Sequence, residues 1–270
     1  MNVVDFAHGW ATRLGGLDVP MLRRTKRRID SAWREPDRVD ANMLTEIVLL
    51  DPLFTMKLLA HANASRSERV VTSPETVCAA ILLLGLNAFR TIVDRTPVLE
   101  QCIAGNKRAM HRIHQLLRRA RRAGRIGLTI AVERQNPDAL LIYEAALMHD
   151  VVEMLIWIVD TDTGESLLAA SREQADPEIG QRLVLGCTLF EIGMRLLQHW
   201  QLPSALLNLS GQPDGRDRST RMAALAIRFA EHAERGWTHA SVLTDLRELA
   251  DLMAISMPAA RTLLGRMEAA

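Results

Sequence analysis

The sequence predicts an all-α fold, a multi-helix architecture that includes an N-terminal helical subdomain, and three observations carry that prediction. Apolar residues make up 48% of the 270-residue chain while aromatics make up only 4%, so Leu, Ala, Ile, Val and Met must fill the interior. That composition favours helix packing over sheets, which draw on aromatic and β-branched residues. Apolar positions recur at helical spacing along the chain, and nowhere does a sustained two-residue alternation mark a strand. Helix start and stop signals punctuate the pattern, notably Asp51-Pro52, Gly85 and Asn136-Pro137-Asp138.

Taken in order, Met21 to Trp33 sets Leu22, Ile29 and Trp33 among Arg23, Arg24, Lys26, Arg27 and Arg28, an apolar stripe with a basic, solvated outer face. Asp40 caps a second helix through Leu44, Ile47 and Leu50. The Asp51-Pro52 step ends it and opens a third, amphipathic through Leu53, Met56, Leu59 and Ala60, with proline at the favourable first-turn position. Ser73-Pro74 is read as a further cap opening Glu75 to Leu84, which Gly85 closes. Phe89, Ile92 and Val93 lead the next helix towards Leu99. A long helix starts near Lys107, with Gly124 and Gly127 expected to loosen or kink it.

Asn136-Pro137-Asp138 caps a helix that runs into His149-Asp150. Val151 to Val159 is apolar on nearly every face except Glu153, which places it in the middle of the molecule. Thr188 to Trp200 and Pro203 to Leu209 follow, then a loop around Gly211-Gln212-Pro213-Asp214-Gly215, the best boundary in the C-terminal half. Three helical patterns, with stripes through Met222, Leu225, Phe229, Leu243, Leu246, Leu249 and Met253, close the chain.

Lys+Arg of 33 against Asp+Glu of 32 leaves a formal charge of +1, without the global positive field of a dedicated nucleic-acid binder. Cys78, Cys102 and Cys187 are widely spaced and set in apolar runs, which predicts buried thiols in a reducing compartment rather than disulfides or a zinc site. The N-terminus lacks a secretory pattern and no apolar stretch reaches the roughly 20 residues that span a bilayer, so a cytoplasmic protein is expected.

Certain motifs, in their order, carry a resemblance: Asp51-Pro52, Leu58-Leu59-Ala60-His61-Ala62-Asn63, Val71-Thr72-Ser73, Leu83-Leu84-Gly85-Leu86, Ala145-Ala146-Leu147-Met148-His149-Asp150, Glu191-Ile192-Gly193 and His199-Trp200-Gln201-Leu202-Pro203. From Leu17 to Leu209 the run resembles the HDOD domain family, relatives of the HD and HD-GYP phosphohydrolases that act as signal-transduction output modules in bacteria, response regulators among them. The resemblance implies an HD-domain-like helical architecture. It divides the chain into an N-terminal helical half (1–105), an HD-like half (106–211) and a helical tail packed on the module (212–270).

A working HD phosphohydrolase needs a His, a His-Asp pair and a further Asp to hold a divalent metal that activates water. Here His149-Asp150 matches the pair, and His114, or His111 one turn earlier, is the candidate for the upstream His. Catalytic relatives continue Ile-Gly-Lys where this chain has Val151-Val152-Glu153, Leu189 stands where a later His is common, and Leu209-Ser210-Gly211 replaces a His-His pair. The site is therefore expected to be degenerate. His149, Asp150 and His114 are vestigial metal candidates, no catalytic residue is assigned and no cofactor is expected. A structural His-Asp pair at a helix junction is the competing reading of His149 and Asp150.

The densest basic run is Arg118 to Arg125, where Arg118, Arg121, Arg122 and Arg125 share one side of a helix and form a candidate anion- or partner-binding patch. The expectation is a non-catalytic regulatory module that acts through a protein partner, a kinase, receiver or cyclic-dinucleotide enzyme being the classes implied. The alternatives are a residual metal-dependent phosphohydrolase on a nucleotide, and a nucleic-acid-binding regulator using the Arg118 to Arg125 run.

Overall fold

The computed structural model describes residues 3–65, 74–174, 176–209, 217–234, 236 and 239–269. Among them the secondary structure is helical throughout, with one isolated parallel bridge between Met21 and Val98. The helices are α1 (Val3–Gly15), α2 (Arg23–Ala32), α3 (Ala41–Val48), α4 (Pro52–Ala64), α5 (Val77–Leu84), α6 (Leu86–Arg95), α7 (Leu99–Cys102), α8 (Lys107–Glu133), α9 (Ala139–Met148), α10 (Val151–Val159), α11 (Thr161–Glu173), α12 (Pro177–Leu185), α13 (Leu189–His199), α14 (Ser204–Leu209), α15 (Arg218–Ala233), α16 (Ala240–Met253) and α17 (Met257–Ala269). They assemble into two compact units, each drawn from separate stretches of chain. The first combines Met1–Leu116 with Asp150–Leu207, the second Leu117–His149 with Asn208–Ala270.

In the first unit the caps follow the sequence signals closely. The Asp40 carboxylate accepts from the Met43 amide at 2.8 Å. Asp51 is fully buried and does more than cap α4: it accepts from the amides of Phe54 (3.1 Å) and Leu22 (2.7 Å), so one carboxylate fixes the starts of both α4 and α2. Helix α4 departs from the amphipathic expectation, because Pro52 to Leu59 are all buried and neighbours cover every face. Periodicity cannot show this, since Thr55 and Lys57 read as solvent positions. Instead the Thr55 hydroxyl donates to the Val48 carbonyl, and the Lys57 ammonium reaches Asp18 and the Val19 carbonyl.

Helix α5 begins later than Ser73-Pro74 suggested. Its cap is Thr76, whose hydroxyl accepts from the Ala79 amide, and Pro74 lies before it in non-helical chain. Ser73, with the rest of the Val71-Thr72-Ser73 motif, lies outside the described residues. Gly85, at φ +77°, ends α5 and starts α6, and the two helix axes turn by 105° there. A side chain at that φ would be strained, which is the need glycine meets. The helix after Gly85 stops at Arg95, and Leu99 belongs to the short α7. Phe89 is fully buried between Trp33, stacked at 5.9 Å, and Phe54, edge-on at 6.1 Å.

Helix α10 occupies the centre of this unit, against α1, α4, α11 and α13, with Val151 to Trp157 all buried. The Trp200-Gln201-Leu202-Pro203 motif has a packing role: the Trp200 indole N–H donates to the Gly15 carbonyl, and the His199 ring lies so close to Gly15 that a Cβ would sit 2.5 Å from it. Glu191, of the Glu191-Ile192-Gly193 motif, completes a capping box with Thr188 and forms a two-bonded ion pair with Arg182 at 3.1 Å.

The second unit is built on the later part of α8, with α9 and α15 packed together and α16 joining α15 to α17. Helix α8 continues as one helix through Gly124 and Gly127. These glycines make room: a Cβ at Gly124 would lie 3.1 Å from the Tyr143 ring, and one at Gly127 3.1 Å from Ile142. Small residues continue that seam through Ala123, Ala146 and Ala230. The expected cap does not form, since Asp138 precedes α9 without a side-chain capping bond; the segment holds α15 instead, Asn136 donating to the Ser219 hydroxyl and that hydroxyl donating to Asp138.

The cysteines correct one expectation. Cys187 is buried, but Cys78 is half-buried and Cys102 is exposed, and all three are free thiols. Among the described residues no single helix is long and apolar enough to cross a membrane.

Candidate functional site

His149 is the C-cap of α9 and Asp150 the N-cap of α10, so the pair forms a two-residue turn between helices. Asp150 is buried at 4% exposure, whereas the His149 side chain is 37% exposed. Inside the second unit α15 packs on α9 and brings Glu231 to this turn, the His149 Nε2 lying 3.7 Å from Glu231 Oε1. Partial burial pushes the Glu231 carboxyl up, but the His149 ring, the Arg119 charge and His232 outweigh it and hold its pKa down at about 2. Arg119, from α8, also lies 3.5 Å from Glu234.

The adjoining residue of α15 extends this belt of charge. His232 Nδ1 is 2.6 Å from Asp245 Oδ2, and the Arg228 Nε donates to Asp245 Oδ1 at 2.7 Å. Asp245 is almost fully buried, and Arg228 also pairs with Glu248. These groups tie α15 to α16 and leave each buried charge opposite another.

His149 and Glu231, both of the second unit, are donors of the types a divalent ion takes. The Arg119 charge that acts on Glu231 opposes a cation at this pair. His114 is exposed on the earlier part of α8, within the first unit, and belongs to no ligand group formed among the described residues. His111 lies one turn before it, 3.0 Å from the Gln115 amide nitrogen.

Glu153 lies on α10, in the first unit. This carboxylate, where the resemblance expects a lysine, is 7% exposed and accepts from the Arg112 Nε at 2.9 Å; the Arg112 side chain is itself only 11% exposed. A buried anion with its own buried counter-ion replaces a cation open to phosphate. Leu189 begins α13, its amide donating to Gln181, while Ser210 and Gly211 lie outside the described residues, as does the Gly211 to Gly215 loop.

In the Arg118 to Arg125 run, Arg118 and Arg125 are exposed and Arg121 and Arg122 half-buried. The last two engage in polar interactions, and Arg119 turns inward to the acidic residues of α15. Tyr143 lies near this run: burial raises its hydroxyl pKa, while Arg121 and Arg125 act in the opposite sense. Glu231, Arg119 and Asp245 escape a sequence reading, because they lie far apart in the chain and no motif spacing joins them.

Comparison with solved structures agrees with this architecture. The chain superposes on the MmoQ response regulator from Methylococcus capsulatus str. Bath with a TM-score of 0.70 at 18% identity, covering 93% of this chain and 99% of that one. A virulence factor from Campylobacter jejuni, Cj0248, gives 0.66 at 17% identity, over 92% and 89%. At these identities the likeness shows the fold. No curated protein matches the chain in sequence. The family model described as the HDOD domain matches residues 19–212, well over half of the chain, and the protein therefore belongs to the HDOD family.

Proposed function

We propose that this protein is a non-catalytic regulatory module that transmits a signal by binding a protein partner, and that its HD-like site has lost phosphohydrolase chemistry. The observation that carries this reading is Glu153. Phosphoryl chemistry needs cations facing the phosphate, and the position that supplies one in catalytic relatives here holds a buried carboxylate committed to Arg112. The Arg119 charge that acts on Glu231 beside His149 supports the same reading. The partner classes the family suggests are a kinase, a receiver or a cyclic-dinucleotide enzyme, and a bacterial, cytoplasmic setting accords with that role.

The test combines metal content with turnover. Protein purified without chelator or tag metal is analysed for iron, manganese and zinc beside His149→Ala and Glu231→Gln variants, and all three are assayed for phosphodiesterase activity on nucleotide substrates with added divalent metal. The expected result is no stoichiometric metal and no turnover. Near one equivalent of metal lost in both variants, with turnover abolished by His149→Ala, would restore the phosphohydrolase reading.

A further inference from the structure

The +1 balance of the chain hides a segregation of charge in α2. At about 100° per residue, Arg23, Arg24, Arg27 and Arg28 fall within an arc of about 140°, with Ser31 inside it and Arg34 continuing it beyond the helix. All six are exposed. The opposite side of the helix is anchored, with Thr25 and Ile29 buried and the Lys26 ammonium bonded to the Val93 carbonyl.

Three carboxylates on or beside α2 have partners other than its outer guanidinium groups. Asp30 pairs with Arg90, Glu35 with Arg38, and Glu100 accepts from the backbone amide of Arg23. Among the described residues none lies within ion-pair distance of the Arg23, Arg24, Arg27, Arg28 or Arg34 guanidinium. The contrast with the Arg118 to Arg125 run is direct, since there Arg119, Arg121 and Arg122 are engaged.

From this geometry we infer that the outer face of α2 is a docking surface for the phosphate backbone of duplex DNA, read without base specificity. Three features select that occupant. Arginine matches phosphate with two parallel N–H bonds. The face offers no apolar or aromatic anchor of the kind that dominates protein–protein contacts, whereas a phosphate backbone asks only for cations. It also lacks an exposed aromatic on which the bases of a single strand would stack: Trp33, next along, is half-buried against Phe89 with the Arg90 guanidinium over its ring.

The experiment is a fluorescence-anisotropy titration of the full chain against a labelled duplex over a salt series. Four phosphate contacts give a log–log salt slope of about −3.6, a loss of roughly 150-fold in affinity between about 50 and 200 mM salt. The variant Arg23→Gln/Arg24→Gln/Arg27→Gln/Arg28→Gln, all at exposed positions and checked for an unchanged thermal melt, is expected to lose measurable binding. An Arg118→Gln/Arg125→Gln variant is expected to keep the parent slope. No duplex binding by the parent at low salt, an undiminished quadruple variant, or loss in the α8 variant instead would overturn the inference. So would tighter binding to a single strand of the same length, or displacement of the duplex by polyglutamate at equal charge, which would reassign the face to an acidic protein.

Discussion

The Arg112–Glu153 pair is the sharpest point at which to test the physical account, because it joins α8 to α10 and stands where the family resemblance expects a lysine. Glu153→Leu removes the carboxylate and leaves the Arg112 guanidinium 11% exposed beside an apolar helix. Breaking a buried ion pair by removing one partner costs about 3–5 kcal/mol. Arg112 keeps one neutral acceptor, Gln115 at 3.2 Å, and retains some access to water, so the lower end applies, about 3 kcal/mol. At a urea m value of roughly 3 kcal/mol per molar this lowers the unfolding midpoint by about 1 M. Trp157, on the same helix and in the same unit, is the natural fluorescence reporter. The double variant Arg112→Leu/Glu153→Leu replaces both charges with apolar volume and is expected to recover most of the loss. A single variant that shifts the midpoint by less than about 0.3 M, or a double variant no more stable than the single one, would show that the pair is not the buried contact described.

The folded-state pKa of Glu231 lies near 2, below its ordinary value of 4.5, so its contribution to stability is complete above 4.5 and fades as pH falls from 4.5 towards about 2. The stability gap between the parent and Glu231→Gln, followed by urea unfolding across that range, should narrow with it; a gap that ignores pH contradicts the pairing. Burial and then Glu191 push the Cys187 thiol up to about 11, so iodoacetamide should label the exposed Cys102 in the native protein and reach Cys187 only on unfolding, with mass spectrometry of digests as the readout. Finally, a Cβ at Gly180 would lie 2.8 Å from the Ala170 carbonyl carbon, a backbone atom that cannot step aside, while one at the exposed Gly9 would meet nothing within 4 Å. Gly180→Ala should therefore cost about 1–3 kcal/mol and Gly9→Ala should add about 0.5–1 kcal/mol, and calorimetry showing the same sign for both would refute the packing.

What the sequence determined by itself was whatever rests on local chemistry. Asp40, Asp51 and Thr188 cap the helices they precede because a carboxylate or hydroxyl meets amides two or three residues on, and that geometry is written within a few positions of chain. The ordered HDOD motifs likewise gave the family, and the apolar run from Val151 to Val159 gave the central helix. The tertiary structure alone decided which polar residues meet across long separations. Asp51 reaching Leu22, Arg112 reaching Glu153, and Arg119 acting on Glu231 at His149 have no spacing signature, because the chain between partners only needs to return. It also decided which arginines remain exposed: those of α2 and those of Arg118 to Arg125 read alike as basic helix faces. Only the folded arrangement placed Glu234 against Arg119 and left the outer face of α2 without a carboxylate within ion-pair distance among the described residues.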